Sequence, residues 1–187
     1  MELNQNGNAV GLIETSSIAR GIYVADEVMK AADVKIIVNR TICPGKYMVL
    51  IGGSIDAVTA SVEAGERAAA HTCVDQFVIA NVHPEVFPAV SGVTHLPEMK
   101  ALGVIEGFSV ASVIRAADEA VKSANVQLVN IHLAMAIGGK AFVTMTGDVA
   151  AVNAAVEAGS AVISKKGMLV ESVVIPSPTK DIVSEFV

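Results

Sequence analysis

The sequence predicts an α+β protein made of two tandem β-α-β-β-α-β units, the split-βαβ or ferredoxin-like order. Three observations predict it. The first is an internal repeat. Residues 9–38 read AVGLIETSSIARGIYVADEVMKAADVKIIV, and residues 101–130 read ALGVIEGFSVASVIRAADEAVKSANVQLVN. Ala9, Gly11, Ile13, Glu14, Ser17, Ala19, Ala25, Asp26, Glu27, Lys30, Ala32 and Val34 each meet the same residue type in the second copy. From Gly45 onward the alignment resumes against Gly139, so the second copy carries two extra residues near Met135–Gly138. A repeat of this kind is one structural unit used twice. The second observation is the switch, within each copy, between alternating and helical apolar spacing. The third is composition: 52% of residues are hydrophobic but only 4% aromatic, and Trp is absent. Ala, Val and Ile therefore supply the core, which suits thin units whose elements approach closely.

The elements follow in order. Ala9–Glu14 alternates and ends at Thr15, Ser16 and Ser17, as a strand running into a helix cap does. Residues 18–32 place Ile18, Ile22, Ala25, Val28 and Met29 on one helical face. Val34–Asn39 contains the β-branched run KIIV and reads as a strand. Thr41–Lys46 holds Pro and Gly and reads as a loop. Tyr47–Ile51 is the next strand, with Gly52-Gly53 as a turn. Ser54 caps a helix over about residues 55–70, with Ala57, Val58, Ser61, Val62 and Gly65 facing inward. Val74–Val82 is the last strand and stops at His83-Pro84.

The second copy repeats this order from Ala101 to about Ile175. Residues 85–100, EVFPAVSGVTHLPEMK, contain two prolines and a glycine and read as the connection between the copies. PSPTKDIVSEFV closes the chain as a loop and a short helical tail. The expected organisation is an N-terminal arm over 1–8, a first domain over 9–96 and a second over 97–187.

The bulk numbers exclude several function classes. The formal net charge is −6 with no basic block, which argues against nucleic acid, whose phosphates require clustered Lys and Arg. No apolar run long enough to span a membrane is present. The polar start MELNQNGN lacks the apolar core of a secretory signal. A cytoplasmic location follows as the expectation, with Cys43 and Cys73 reduced. So much small apolar surface on thin domains predicts burial in an oligomer.

A search for catalytic machinery finds no nucleophile elbow, Walker loop, HExxH or dinucleotide fingerprint. His71, His83, His95 and His132 are scattered without metal-ligand spacing. Glu14 and Glu106 end equivalent strands; their presence in both copies favours structural hydrogen bonds over acid–base work. Lys30 and Lys122 occupy one position of the repeat, near a helix C-terminus. The residues alone favour a cation complementing the helix dipole over a contact that docks neighbouring subunits. Cys73, aligned with Gly167, reads as a small buried hydrophobe. Cys43 is the asymmetric feature. It lies in RTICPGKY, where Pro44 favours an extended Cys43 and Gly45 permits close backbone approach. The matching stretch of the second copy, LAMAIGGKA, has no cysteine. One cysteine cannot build a metal site, although a symmetric oligomer can supply copies of it.

The GLIE and GVIE strands, the ADEVMKAADV and ADEAVKSANV segments and the GDVAAVNAAVEAG turn-helix resemble the bacterial microcompartment shell domain. The resemblance covers almost the whole chain, in both copies, and two fused copies are similar to the tandem-domain shell proteins. It implies a homotrimer acting as a pseudo-hexamer, a flat tile that assembles with other shell proteins, with Lys30 and Lys122 at subunit edges. It also implies a central pore lined by the loops Thr41–Lys46 and Ala136–Lys140, with Ile42, Pro44, Gly45, Ile137, Gly138 and Gly139 as lining residues. TICPGK, GGSIDAV and ANVHPEVFPAVSG resemble more narrowly the propanediol-utilisation T type, which carries an iron–sulfur cluster at its pore. That likeness implies Cys43 as a metal ligand, with three thiolates around one [4Fe-4S] cluster per trimer. A redox enzyme inside or outside the shell would be the electron partner.

Three functions follow. The first is a non-enzymatic shell protein whose cluster carries electrons across the shell. The second is a shell pore for a small metabolite or cofactor, with Cys43 only narrowing it. The third is a ligand-binding sensor or enzyme on tandem ferredoxin-like domains, which ranks last because no catalytic polar cluster is visible.

Overall fold

A computed structural model describes residues 8–92, 94, 99–134 and 137–184. The arm over 1–8 lies outside the described residues except for Asn8. The chain forms two compact units, one ending at Val82 and the other beginning at His83. The first contains β1 (Ala9–Thr15), α1 (Ile18–Ala31), β2 (Lys35–Ile42), β3 (Lys46–Gly53), α2 (Ile55–Ala69) and β4 (Cys73–Ile79). The second opens with the short helix α3 (Val86–Ser91). It continues with β5 (Ala101–Gly107), α4 (Val110–Ser123), β6 (Val126–Leu133), β7 (Ala141–Gly147), α5 (Val149–Ser164), β8 (Leu169–Pro176) and α6 (Lys180–Ser184).

The strand orders are β2-β3-β1-β4 and β6-β7-β5-β8, with every pair antiparallel. This is the expected β-α-β-β-α-β unit, twice. Alternation of side chains along a strand aims Ala9 and Ile13 of β1, and Val49 and Ile51 of β3, into one core with Val24, Val28, Val58 and Val62 of the two helices. The close approach depends on Gly65. A Cβ there would stand 2.1 Å from Ile13 Cδ1 and 2.6 Å from Val28 Cγ2.

The helix starts are set locally. Ser17 Oγ accepts from Arg20 N at 3.3 Å, Ser54 Oγ from Ala57 N at 3.3 Å and Ser109 Oγ from Ser112 N at 3.0 Å. Each bond satisfies a backbone donor that a helix leaves open at its first turn.

Several expectations change. The buried face of α1 is Gly21, Val24, Ala25 and Val28, while Ile18, Ile22 and Met29 are exposed. The helix is turned because Gly21 lies on Tyr47, where a Cβ would come within 2.3 Å of the tyrosine Cβ. Gly52 and Gly53 are not a turn. They end β3, paired with Val10 and Ala9. Cys73 does not match Gly167: Cys73 pairs with Thr15 as Leu169 pairs with Gly107, so the copies shift again after α5. The Lys165–Gly167 turn there absorbs the added residues, with Gly167 left-handed at φ +67°. Finally, residues 85–100 are more than a connection. Val86–Ser91 is helical and packs on β6 and α4 of the second unit. Within that unit His83 N donates to Asp118 Oδ1 at 2.7 Å, and Leu128 N donates to Glu85 Oε2 at 2.9 Å. These anchors put the division of the chain at Val82/His83 rather than at 96/97. No described helix is long and apolar enough to cross a membrane.

Candidate functional site

The segment Thr41–Lys46 is tighter than a loop. β2 runs to Ile42 and β3 starts at Lys46, with Ile42 paired to Lys46 and Thr41 to Tyr47. Cys43, Pro44 and Gly45 are left as a hairpin tip. The Cys43–Pro44 peptide is cis, and Gly45 is left-handed at φ +79°. No atom lies within 4 Å of where a Gly45 Cβ would stand, so this glycine serves the turn and not a close approach. Ile42 is buried beneath the tip. Cys43 is a free, half-buried cysteine.

The base of the hairpin is held by charge. Lys46 Nζ donates to Glu14 Oε1 from the adjoining strand β1, and the carboxylate is wholly buried. Lys140 and Glu106 form the same pair in the second unit, more exposed on both sides. The structural reading of the two glutamates is therefore specific: each ties the β3 or β7 end of its hairpin to the unit's central strand. The sequence pointed to hydrogen bonding at Glu14 without naming Lys46; the repeat of GK at Gly45-Lys46 and Gly139-Lys140 was the available signal.

The second hairpin connects β6 to β7. Met135 and Ala136 lie outside the described residues. Ile137–Gly139 forms a turn closed by Lys140 N donating to Ile137 O at 3.3 Å, with Gly138 at φ +65° and Gly139 at φ +84°. Gly138 is exposed, Ile137 half-buried and Gly139 buried. The two tips thus occupy equivalent places in their own units. One presents a thiol and a proline; in the other, Gly138 is the exposed residue among those described.

Lys30 and Lys122 are each in the last turn of their helix. Each reaches back one turn to an aspartate, Lys30 to Asp26 and Lys122 to Asp118, both at 2.5 Å. The hydrogen bond that Lys30 donates to Asp26, and then the carboxylate's charge, raises the Lys30 ammonium above the ordinary lysine value. Of the histidines, His83 anchors the start of the second unit through its backbone, and His132 stacks on Phe142 across β6 and β7 at 5.1 Å. His95 lies outside the described residues. Cys73 packs against the first unit's core, with its Sγ 3.9 Å from Asp75 O.

Among the described residues no three His, Cys, Asp or Glu side chains gather as a metal site. Thiolate sulfur is the donor that iron–sulfur clusters take, so Cys43 fits in kind. One chain supplies one such donor at the tip, and the fit in number requires further copies.

The BMC domain family matches residues 9–82 and 101–178, which are β1 through β4 and β5 through β8. The chain belongs to that family. It is a tandem BMC-domain protein, 43% identical over 170 residues to the bacterial microcompartment shell protein PduT of Citrobacter freundii, covering 91% of this chain and 92% of that one. The carboxysome assembly protein CcmO of Synechococcus elongatus is 29% identical over 193 residues, 95% of this chain and 68% of its own. A solved structure of a microcompartment protein from Desulfitobacterium hafniense superposes with a TM-score of 0.85 at 52% identity, over 94% of this chain and 98% of that one. The fused, permuted hexameric shell protein MSM0275 of the RMM microcompartment, at 22% identity and a TM-score of 0.62 over 83% of this chain and 81% of its own, shares the fold. This BMC protein is a structural component of a microcompartment shell and not an enzyme.

Proposed function

We propose that three copies of this chain close into a pseudo-hexameric tile whose central pore is lined by the two hairpin tips, Ile42–Gly45 and Ile137–Gly139. At that pore three Cys43 thiolates hold one [4Fe-4S] cluster, and the tile passes electrons across the shell. The observation that carries the reading is the free, half-buried Cys43 at the apex of a hairpin anchored by a buried ion pair. The PduT-like character of the chain supports it. A three-fold ring repeats one ligand three times, which matches a cubic cluster with three irons bound by protein and one left to another ligand. When bound, the cluster supplies one-electron transfer. The chain's own residues do the rest: Pro44 and Gly45 shape the tip, Glu14 and Lys46 fix its base, and the buried Ile42 seats the tip on its unit. The partners are other shell proteins and a redox enzyme on one side of the tile.

The test is iron and acid-labile sulfide per trimer on protein purified without oxygen, with visible and EPR spectra of the same sample. About four of each per three chains is the count for one cubic cluster, and Cys43→Ser should abolish it while the oligomer persists. No iron after attempted reconstitution would overturn the cluster reading and leave a pore for a small metabolite or cofactor.

A further inference from the structure

The repeat contains an internal comparison. In the second unit, the chain leaving β4 lies along α4: His83 donates its backbone N–H to Asp118, Val86 is buried, and α3 packs against β6 and α4. The same helix position in the first unit is bare. Ile114 of α4 is 0% exposed, whereas Ile22 at the matching place on α1 is 56% exposed. Val110, Asp118 and Val121 are buried, whereas Ile18, Asp26 and Met29 are not. Asp118 accepts from both Lys122 and the His83 N–H. Asp26, at its place on α1, is paired with Lys30 through Oδ2.

The segment that would cover α1 by this logic is also present and uncovered. The strand register that matches Ile79 to Ile175 carries Val86 to Ile182, and the chain leaving β8 runs into the short helix α6 as the chain leaving β4 runs into α3. Its apolar residue Ile182 is 47% exposed, whereas Val86 on α3 is 3% exposed. A bare helix face and a bare apolar tail each have a counterpart in the second unit, where α3 and α4 pack together.

We propose that the tail 177–184 of one copy docks on α1 of a second copy, on the face formed by Ile18, Ile22 and Met29, with Asp26 accepting a backbone N–H of the tail as Asp118 accepts that of His83. The contact is head-to-tail and so propagates until the ring closes. It names the device that joins copies, and it rests on the reading of the chain as a closed tile.

The test uses full-length chains. Ile22→Cys is made in an isotope-labelled chain and Ile182→Cys in an unlabelled one. The two are co-assembled, joined with a short bis-maleimide, and the linked peptides are identified by mass. A link between positions 22 and 182 of different chains is expected, absent when either variant is alone. Deleting residues 177–187 should raise the concentration for half-dissociation at least tenfold in sedimentation, and Asp26→Asn should raise it several-fold. If wild-type trimers form, no such link appears and the deletion leaves association unchanged, the tail proposal is overturned and the tile reading stands. In a third sample, a chain carrying both Ile22→Cys and Ile182→Cys mixed as labelled and unlabelled copies, a link confined within single chains would also overturn it, and a wild-type chain that remains monomeric at every concentration would overturn both.

Discussion

The buried ion pair at the hairpin base lends itself to a quantitative test because the chain contains its own control. Lys46 and Glu14 join β3 to β1, and Lys140 and Glu106 join β7 to β5, with the same chemistry in the same place of the repeat. They differ in burial: Glu14 is 0% exposed and Glu106 is 29% exposed at the side chain. Replacing Lys46 by Met removes the charge that offsets a carboxylate out of water. Breaking a buried pair on one side costs roughly 3–5 kcal/mol. Replacing Lys140 by Met leaves a carboxylate that water reaches, and exposed pairs contribute roughly 0–1 kcal/mol. In thermal unfolding of a chain of this size, 1 kcal/mol corresponds to about 2–4 °C. Lys46→Met should therefore lower the Tm of the chain by roughly 6–20 °C, and Lys140→Met should lower it by less than about 4 °C. Hydrogen exchange read by mass spectrometry assigns each loss to β1–β3 or β5–β7. Adding Glu14→Gln to Lys46→Met should recover a good part of the loss, because the stranded charge is then gone. Equal losses in the two units, or a Lys46→Met loss below about 1 kcal/mol, would refute the argument that burial decides the strength of the pair.

Other outcomes follow from the same structure. Gly65→Ala should destabilise the first unit by up to about 2 kcal/mol in denaturant unfolding, an overpacking cost of roughly 1–3 kcal/mol against Ile13 and Val28 less a helix-propensity gain of about 1 kcal/mol. Gly45→Ala meets no neighbour, so its cost is the left-handed backbone alone, about 1 kcal/mol, with the hairpin retained by circular dichroism. Ser17→Ala should cost about 1 kcal/mol through the lost cap of α1, measured the same way. For Lys30, a raised folded value means that its contribution to stability is complete below the ordinary lysine range near 10.5 and is lost as pH rises through the higher folded value. Its NMR titration midpoint should accordingly fall back toward 10.5 in Asp26→Asn.

The amino-acid sequence by itself determined the two-fold plan, the order of elements, the caps at Ser17 and Ser54, and Cys43 as the residue that breaks the symmetry. Each of these depends on neighbours within a few positions or on comparison of one copy with the other, and both are visible along the chain. Tertiary structure decided the rest. Gly21 belongs to the core of α1 because Tyr47 lies across it, and a residue without a side chain leaves no mark on an apolar pattern. Gly52 and Gly53 continue β3 because β1 supplies their partners. The match of Cys73 to Leu169 emerges from strand register alone, since an insertion after α5 hides it from the alignment. Glu14 and Lys46 meet only when β1 and β3 pair. The segment after His83 joins the second unit because Asp118, far along the chain, takes its backbone N–H. These are non-local contacts, whose closing chain entropy is offset only once the sheet and helices are assembled.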